Sequence, residues 1–214
     1  MIYSSYNYPY CPTNIICFTG EDISSSMIDE CFKIDENFFE EKYIYDHEKV
    51  KKWIRKYSDL CFIFYDLKAN KVIGYNFLVI LNMQAYESYL KGEVSYFTIG
   101  TNQFVNDKKN AEGALLYLSS AYGPNLKISL MSKLVQNAMT DLIISRKLDY
   151  NIVIKKYFLD AVCQFDEEYA KFMKLQPVKQ TAYGSKIYAG DFNPRTFFPE
   201  AVNYDILNTI YNKK

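Results

Sequence analysis

The sequence has little of what a metal or thiol-based active site needs. Its 214 residues include a single histidine, His47, and no two cysteines stand in a Cys-x-x-Cys spacing. His47 follows Asp46 at a predicted helix start, so we expect it to face solvent in the first turn. The cysteines are odd in number and mostly interrupt apolar runs, which is typical of buried, reduced thiols. They are Cys11, Cys17, Cys31, Cys61 and Cys163. No metal site is predicted, because such sites draw on several His and Cys ligands.

Net charge and long apolar runs are also missing. The 25 basic residues equal the 25 acidic ones, so no overall field attracts nucleic acid or an anionic membrane. No run approaches the ~20 apolar residues that a membrane span requires, and the first residues lack the pattern of a secretory signal. We therefore expect a cytoplasmic protein whose partners are neither nucleic acids nor membranes.

Aromatic residues, in contrast, are abundant. The chain has 21 tyrosines and 15 phenylalanines, so aromatic rings are expected to line whatever pocket exists. The length allows one sizeable hydrophobic core, and nothing in the composition requires a second domain.

Apolar periodicity and turn residues predict the order of the elements. An extended arm over residues 1–14 precedes a strand at 15–18, a helix around Met27 and a helix from Asp46. A hairpin, an inserted helix, a central strand, a long helix, a strand, a short helix and a final strand follow. Their ranges are 60–65 with 72–81, 83–91, 114–122, 130–143, 157–162, 166–174 and 179–188.

These elements predict an α/β (α+β) fold. We expect a mixed, mostly antiparallel central sheet of about six or seven strands, flanked by helices on both faces. Residues 1–190 are expected to form a single domain. The aromatic tail over residues 191–214 should pack either on that domain or on a partner subunit, and the second arrangement would be a homodimer.

The segment from Tyr157 to Val178 carries a specific pattern. A buried strand with Leu159 and Ala161 is followed by a short helix. The helix has matching residues at Ala170, Phe172, Lys174 and Leu175. This arrangement resembles the C-terminal part of the GNAT superfamily of acyl-CoA-dependent N-acyltransferases.

The resemblance implies acetyl transfer from acetyl-CoA, as co-substrate, to a small-molecule or peptide amine. In the family, the loop between the central strand and the long helix offers backbone N–H groups to the CoA pyrophosphate, as helix N-termini generally do for anions. An asparagine after the next strand often holds the cofactor, and Cys163 takes its place here. The predicted cofactor-binding residues are Ser120, Ala121, Tyr122, Gly123, Lys127, Ile128, Ser129, Leu130, Met131, Ser132 and Cys163.

The loop departs from the family pattern, because the glycines that let backbone approach phosphate are absent. Counting from Pro124 puts Lys127 in the basic position and Leu130 and Ser132 in the glycine positions. Counting back from Leu134 and Val135 puts Leu126, Ser129 and Met131 there instead. Lys127 and a nearby serine either contact phosphate directly or are ordinary helix-start residues.

Aminolysis of a thioester needs a base, an oxyanion donor and an acid for the leaving thiolate. The family often takes the acid from a helix tyrosine, but that position is Met173 here. Tyr169 lies one turn earlier on the same helix face and is the candidate acid. The central strand has no carboxylate, so Glu112, acting through water, is the candidate base, with Glu93 as a second choice.

Three interpretations remain open at this point. The first is a direct N-acetyltransferase. The second is a catalytically lapsed GNAT-shaped domain that binds CoA, another ligand or a protein partner. The third is an unrelated α/β or α+β domain whose match is accidental.

Overall fold

The computed structural model describes residues 2–4, 14–105, 108–122, 128–193 and 204–212. For residues 119–136 the description covers the backbone elements only.

Eight strands and six α-helices alternate along the described chain. The strands are β1 (Ile2–Ser4), β2 (Ile15–Phe18), β3 (Cys61–Asp66), β4 (Lys71–Asn82), β5 (Glu112–Tyr122), β6 (Val153–Ala161), β7 (Gln176–Gln180) and β8 (Lys186–Asp191). The helices are α1 (Ser25–Phe38), α2 (His47–Lys56), α3 (Met83–Lys91), α4 (Ile128–Tyr150), α5 (Gln164–Phe172) and α6 (Tyr204–Asn212).

The strands form one sheet in the order β1-β2-β3-β4-β5-β6-β8-β7. The ladders β1–β2, β2–β3, β3–β4, β6–β8 and β7–β8 are antiparallel. Only the β5–β6 ladder among those described residue by residue is parallel, and its pairs run from Glu112↔Val153 to Tyr117↔Leu159. α4 makes the crossover that a parallel pair requires. The predicted fold class, a mixed and mostly antiparallel sheet with helices, is confirmed.

Two strands differ from the prediction. β1 adds a strand at the edge of the sheet, within the arm that we expected to be extended. The final strand predicted over residues 179–188 is wrong, because β7 and β8 form a hairpin around a turn at Thr181–Ser185. Gly184 has a φ of +95° in this turn, a conformation that glycine adopts without a steric cost.

The chain divides into two compact units. Unit 1 comprises Met1–Phe77 and Ser119–Met139, and unit 2 comprises Leu78–Leu118 and Thr140–Lys214. The expectation of a single domain over residues 1–190 stays a prediction.

In unit 1, helices α1 and α2 each bury one apolar face. α2 buries Val50, Trp53 and Ile54, and the Trp53 ring stacks on Phe77 of β4 at 6.1 Å between centroids. The expectation that His47 faces solvent is wrong: its ring lies flat on Phe32, with centroids 4.0 Å apart and an angle of 3° between planes. Its position just after the N-cap residue Asp46 turns the side chain toward α1.

In unit 2, α3 packs two tyrosine rings on β6, because Tyr86 and Tyr89 both make edge contacts with Phe158. The C-terminal helix α6 also packs within this unit. Tyr211 contacts the Phe192 ring and accepts a 2.9 Å hydrogen bond from the Ile154 backbone N–H. Among the described residues, no helix has the length and apolar character to cross a membrane.

The cysteines follow the expectation with one exception. Cys17, Cys31 and Cys61 are buried, as predicted, whereas Cys163 is exposed because it is the N-cap residue of α5 rather than part of a buried strand. Cys11 lies outside the described residues.

One carboxylate is buried in unit 1. Asp35 of α1 is 3% exposed, and its Oδ2 accepts a 2.5 Å hydrogen bond from the Tyr75 hydroxyl. Among the described residues, its Oδ1 has no hydrogen-bond partner. Burial raises the pKa of Asp35 to about 7, although the Tyr75 hydrogen bond opposes this shift. Since the unfolded state releases the proton near pH 4, the folded state loses stability as pH rises from about 4 to about 7.

Replacing Asp35 with asparagine should remove this pH dependence. Urea unfolding of the wild type should show a loss of ~2–3 kcal/mol between pH 5 and pH 8 that Asp35→Asn lacks. The exposed carboxylate of Glu87 supplies the control, and Glu87→Gln should retain the wild-type slope. Equal pH slopes for wild type and Asp35→Asn would contradict the raised pKa.

Candidate active site

The carboxylate of Asp160 collects three hydroxyl groups at the end of β6. Oδ2 accepts hydrogen bonds from Tyr89 at 3.0 Å and Tyr183 at 2.7 Å, while Oδ1 accepts one from Ser185. Tyr89 belongs to α3, Tyr183 lies in the β7–β8 turn, and Ser185 ends that turn. Asp160 itself is half-buried, so its carboxylate keeps partial access to solvent.

The local sequence explains the position of each donor. In β6, successive side chains point to opposite faces, so Phe158 and Asp160 share the face on which α3 packs. Ser185 ends a turn in which its backbone N–H and hydroxyl both contact the Thr181 hydroxyl, at 3.1 and 2.8 Å. The turn therefore presents Tyr183 and Ser185 together to Asp160.

Burial and hydrogen bonding have opposite effects on this carboxylate. Burial is the larger effect and raises the pKa of Asp160 above its usual value, whereas the bonds from Ser185, Tyr183 and Tyr89 lower it. The pKa of Tyr183 is also raised, first by burial and then by the negative charge of Asp160. A proton is thus easier to place on Asp160 than on an exposed aspartate.

A cavity of about 430 Å³ lies at the same end of β6 in unit 2. Asp160 itself does not line it, because strand alternation points Asp160 and its neighbour Ala161 to opposite faces of β6. The cavity lies where β6 ends, α5 begins and the β7–β8 turn closes. Its lining residues are Ala161, Val162, Cys163, Gln164, Glu167, Gln180, Gly184 and Lys186. Ala161 is the neighbour of Asp160 along β6, and Gly184 and Lys186 flank its donor Ser185.

The two charged groups of the cavity wall are paired. Lys186 Nζ lies 3.2 Å from Glu167 Oε1, and the Tyr188 hydroxyl donates to Glu167 Oε2 at 2.9 Å. The Tyr188 hydrogen bond and then Lys186 lower the pKa of Glu167, so this carboxylate is ionised. Behind it, Asp166 accepts the backbone N–H groups of Val162 and Cys163 at 3.0 and 3.3 Å, which fixes the start of α5.

The structure does not bring the two predicted catalytic residues together. Tyr169 packs its ring on Tyr117 at 5.2 Å, with its hydroxyl oxygen 3.4 Å from that of Tyr157. Glu112 lies at the start of β5, five residues before Tyr117, where it pairs with Lys155 at 3.2 Å. At ~3.3 Å per strand residue, it is roughly 16 Å along the strand from the ring that contacts Tyr169.

Most of the predicted cofactor-binding residues lie where the structure describes no side chains. Gly123 and Lys127 lie outside the described residues, and so do the side chains of Ser120, Ala121, Tyr122, Ile128, Ser129, Leu130, Met131 and Ser132. Cys163 is described, and it lines the cavity. Within the described part of the chain, no three His, Cys, Asp or Glu side chains are grouped to hold a metal ion.

The chain matches no family model and no curated protein, but it is similar to many solved structures. The loading GNATL domain of CurA from Lyngbya majuscula is 9% identical, with a TM-score of 0.55 over 83% of this chain and 97% of that domain. The protein has a divergent GNAT fold.

Two further structures extend this result. The GNAT-like decarboxylase GphF, solved with isobutyryl-CoA, is 7% identical with a TM-score of 0.55, over 82% of this chain and 98% of GphF. A mutant of agmatine N-acetyltransferase in its apo form is 9% identical with a TM-score of 0.50, over 84% of this chain and all of that one (100%). The resemblance seen in Tyr157–Val178 is confirmed for the fold. A decarboxylase and an N-acetyltransferase share the GNAT fold. The fold therefore does not specify the reaction, which depends on the residues of the site.

Sequence reasoning missed Asp160. The predicted bases, Glu93 and Glu112, lie ahead of the central strand β5 or at its start, whereas the Asp160 carboxylate lies on the next strand, β6. One signal was available: Asp160 is the single acidic residue in the buried strand predicted over residues 157–162. A charged residue at such a position needs partners to offset its desolvation, and is a functional candidate for that reason.

A tyrosine variant of α3 measures how much the hydroxyl groups around Asp160 contribute to the free energy of unfolding. Tyr89→Phe keeps the ring but removes one donor to the Asp160 carboxylate, so we expect a loss of ~1–3 kcal/mol in the free energy of unfolding. Tyr86→Phe is the matched control, because Tyr86 lies on the same helix and packs on the same Phe158 ring. Its loss should stay within ~0.5 kcal/mol in the same urea titration. Equal losses for both variants would contradict the role given to the Tyr89 hydroxyl.

Proposed function

We propose that the protein is an N-acyltransferase that transfers an acetyl group from acetyl-CoA to a primary amine by direct attack. The observation that carries this proposal is the half-buried Asp160 carboxylate with a raised pKa at the end of β6, next along the strand to Ala161 of the cavity wall. An amine that is protonated in solution must lose a proton before it attacks a thioester. Asp160 is the group that accepts this proton.

The hydroxyl shell of Asp160 supports this role. Tyr89 and Ser185 are buried, whereas Tyr183 is half-buried, so an incoming ammonium approaches the carboxylate on the Tyr183 side. Because the three bonds are already formed, Asp160 is held in one orientation before any substrate binds, which reduces the reorganisation needed during the reaction.

Tyr169 is the proposed acid. Strand alternation puts Tyr157, whose hydroxyl neighbours that of Tyr169, on the face of β6 opposite to Asp160. The β5–β6 pairing runs to Tyr117↔Leu159, while β5 continues to Tyr122. A thioester at the end of this ladder would therefore have the proton acceptor on one face and the donor on the other. Glu112 is not carried into the proposal, because it lies near the beginning of the ladder.

The reaction balances without a metal. The ammonium gives one proton to Asp160, the amine nitrogen forms a bond to the acetyl carbon, and the C–S bond breaks. Tyr169 protonates the sulfur, and one of the two protons left on nitrogen is released to restore Tyr169. The amide product keeps the other, and Asp160 gives its proton to solvent before the next cycle.

Binding of acetyl-CoA rests on the family pattern and on the cavity. Acetyl-CoA supplies the acetyl group as an activated thioester. The residues proposed to hold it are those of the β5–α4 connection, with Lys127 as the cationic contact, and Cys163 at the start of α5. A solved structure with this fold, GphF, contains isobutyryl-CoA, which supports an acyl-CoA ligand.

Calorimetric titration with acetyl-CoA tests the cofactor half of the proposal. We expect micromolar binding, or roughly −8 kcal/mol, with a loss of about tenfold for Lys127→Ala because one phosphate contact disappears. Lys147→Ala changes a lysine in the last turn of α4 and should bind as the wild type does. Absence of heat with both acetyl-CoA and CoA would overturn the transferase proposal.

Steady-state acetyl transfer tests the catalytic half. Asp160→Asn should lower kcat by ~10²–10⁴, the usual contribution of a general base, with acetyl-CoA affinity unchanged. In the wild type, the rate should rise with pH through the raised pKa of Asp160, since only the carboxylate accepts a proton. Asp166 also adds negative charge close to this group.

Asp191→Asn is the control for a carboxylate outside the cluster, because Asp191 is exposed and pairs with Lys156. If acetyl-CoA binds but neither the wild type nor any variant turns over with an amine panel, the protein is the lapsed, ligand-binding form of the fold. Full activity of Asp160→Asn would remove Asp160 from the mechanism.

A further inference from the structure

Three aromatic rings surround the approach to Asp160, and we call them the aromatic patch: Tyr96, Phe97 and Tyr183. The ring centroids of Tyr96 and Phe97 are 3.9 Å apart, and each lies 5.4 Å from that of Tyr183 in an edge contact. The Tyr183 hydroxyl continues from the patch to the carboxylate at 2.7 Å. The patch and the carboxylate are therefore contiguous within unit 2.

Phe97 is the exposed member of the patch. It is 38% exposed, whereas its neighbours Tyr96 and Ile99 are 2% and 0% exposed and anchor the turn. Backbone hydrogen bonds from Thr98 and Ile99 to the Ser95 carbonyl, both 2.9 Å, close the same turn. A single exposed apolar side chain is ordinary on a protein surface. What distinguishes Phe97 is its edge contact with Tyr183, whose hydroxyl donates to Asp160.

The chemistry of the two parts is complementary to one class of ligand. A carboxylate attracts an ammonium, and an aromatic face attracts both a cation and an apolar group. The Tyr183 ring is held by its own hydroxyl next to the carboxylate, so a ligand that reaches Asp160 also contacts this ring. An acidic ligand would place a second negative charge beside Asp160, and a short polar amine would leave Phe97 uncovered.

We propose that the aromatic patch selects the acyl acceptor, and that this acceptor is a primary amine with an aromatic or bulky apolar group a few carbons from nitrogen. The ammonium lies at Asp160, and the apolar group covers Phe97 and Tyr183. This inference rests on the proposed acetyl transfer for its biological meaning, but the recognition itself is a binding event that needs no acyl-CoA.

The test compares three probes by calorimetry without acyl-CoA. 2-Phenylethylamine has both features, ethanolamine has the ammonium alone, and phenylacetate has the ring with the opposite charge. We expect 2-phenylethylamine to bind at least tenfold more tightly than ethanolamine, and phenylacetate to give no heat. Similar affinities for the two amines, or binding of phenylacetate, would overturn the proposal.

A variant locates the preference on the patch. Phe97→Ala should weaken binding of 2-phenylethylamine roughly tenfold and leave ethanolamine unchanged, since only the apolar contact is lost. Phe38→Ala removes an exposed phenylalanine of α1, which is outside unit 2, and should leave the preference intact. An unchanged preference in Phe97→Ala would show that the ring is recognised elsewhere.

Release of the CoA thiol, measured with acetyl-CoA and each amine, separates this inference from the proposed function. Transfer to both amines with equal kcat/KM would overturn the patch as a specificity surface and leave the transferase intact. Selective binding of 2-phenylethylamine without thiol release would leave the recognition standing and overturn the transfer reaction.

Discussion

The desolvation of Asp160 is the constraint on which the arrangement of unit 2 depends. A carboxylate removed from bulk water needs donors from the protein, and those donors come from α3 and from the β7–β8 turn. The same three bonds therefore fix a helix and a hairpin against the end of β6. The cavity lined by Cys163, Glu167 and Lys186 borders the same hairpin, since Lys186 follows the donor Ser185 along the chain.

Asp35 in unit 1 shows what a buried carboxylate does without such a shell. It accepts one hydrogen bond, from the Tyr75 hydroxyl, while its second oxygen has no partner in the part of the chain that the structure describes, and its pKa rises to about 7. Asp160 has three donors and remains half-buried. The first arrangement costs folding stability near neutral pH. The second keeps an oriented carboxylate within reach of a ligand, which is the property that an acid-base group requires.

The GNAT fold is compatible with more than one reaction. Solved structures with this fold include a decarboxylase and an N-acetyltransferase. The proposal of amine acylation rests on Asp160 as proton acceptor on one face of β6 and on Tyr169 against the other face. It also rests on the aromatic patch beside Asp160, which suits a cationic ligand. The β5–α4 connection is the least typical part of the sequence, because it lacks glycines at the two positions where the GNAT pattern has them. The proposed phosphate contact does not depend on those glycines, because helix N-termini expose backbone N–H donors whatever their side chains.

Local pattern in the sequence was sufficient for most of the fold. Apolar spacing located α1, α2 and the long helix α4. A run of large apolar and aromatic residues located β3, and a β-branched and apolar run located β4. The segment from Tyr157 to Val178 indicated the GNAT fold. The β7–β8 hairpin was missed, because Gln176–Gln180 is exposed along its whole length and has no apolar alternation to reveal a strand. The environment of His47 was missed because its ring partner, Phe32, comes from another helix.

By itself, the sequence determined the order of strands and helices and the α/β class, since these follow from the spacing of apolar residues along the chain. Only the tertiary structure decided which carboxylate is a candidate base. The donors to Asp160 lie 71, 23 and 25 residues away along the chain. A pKa depends on burial and on neighbours in space, and local sequence contains neither.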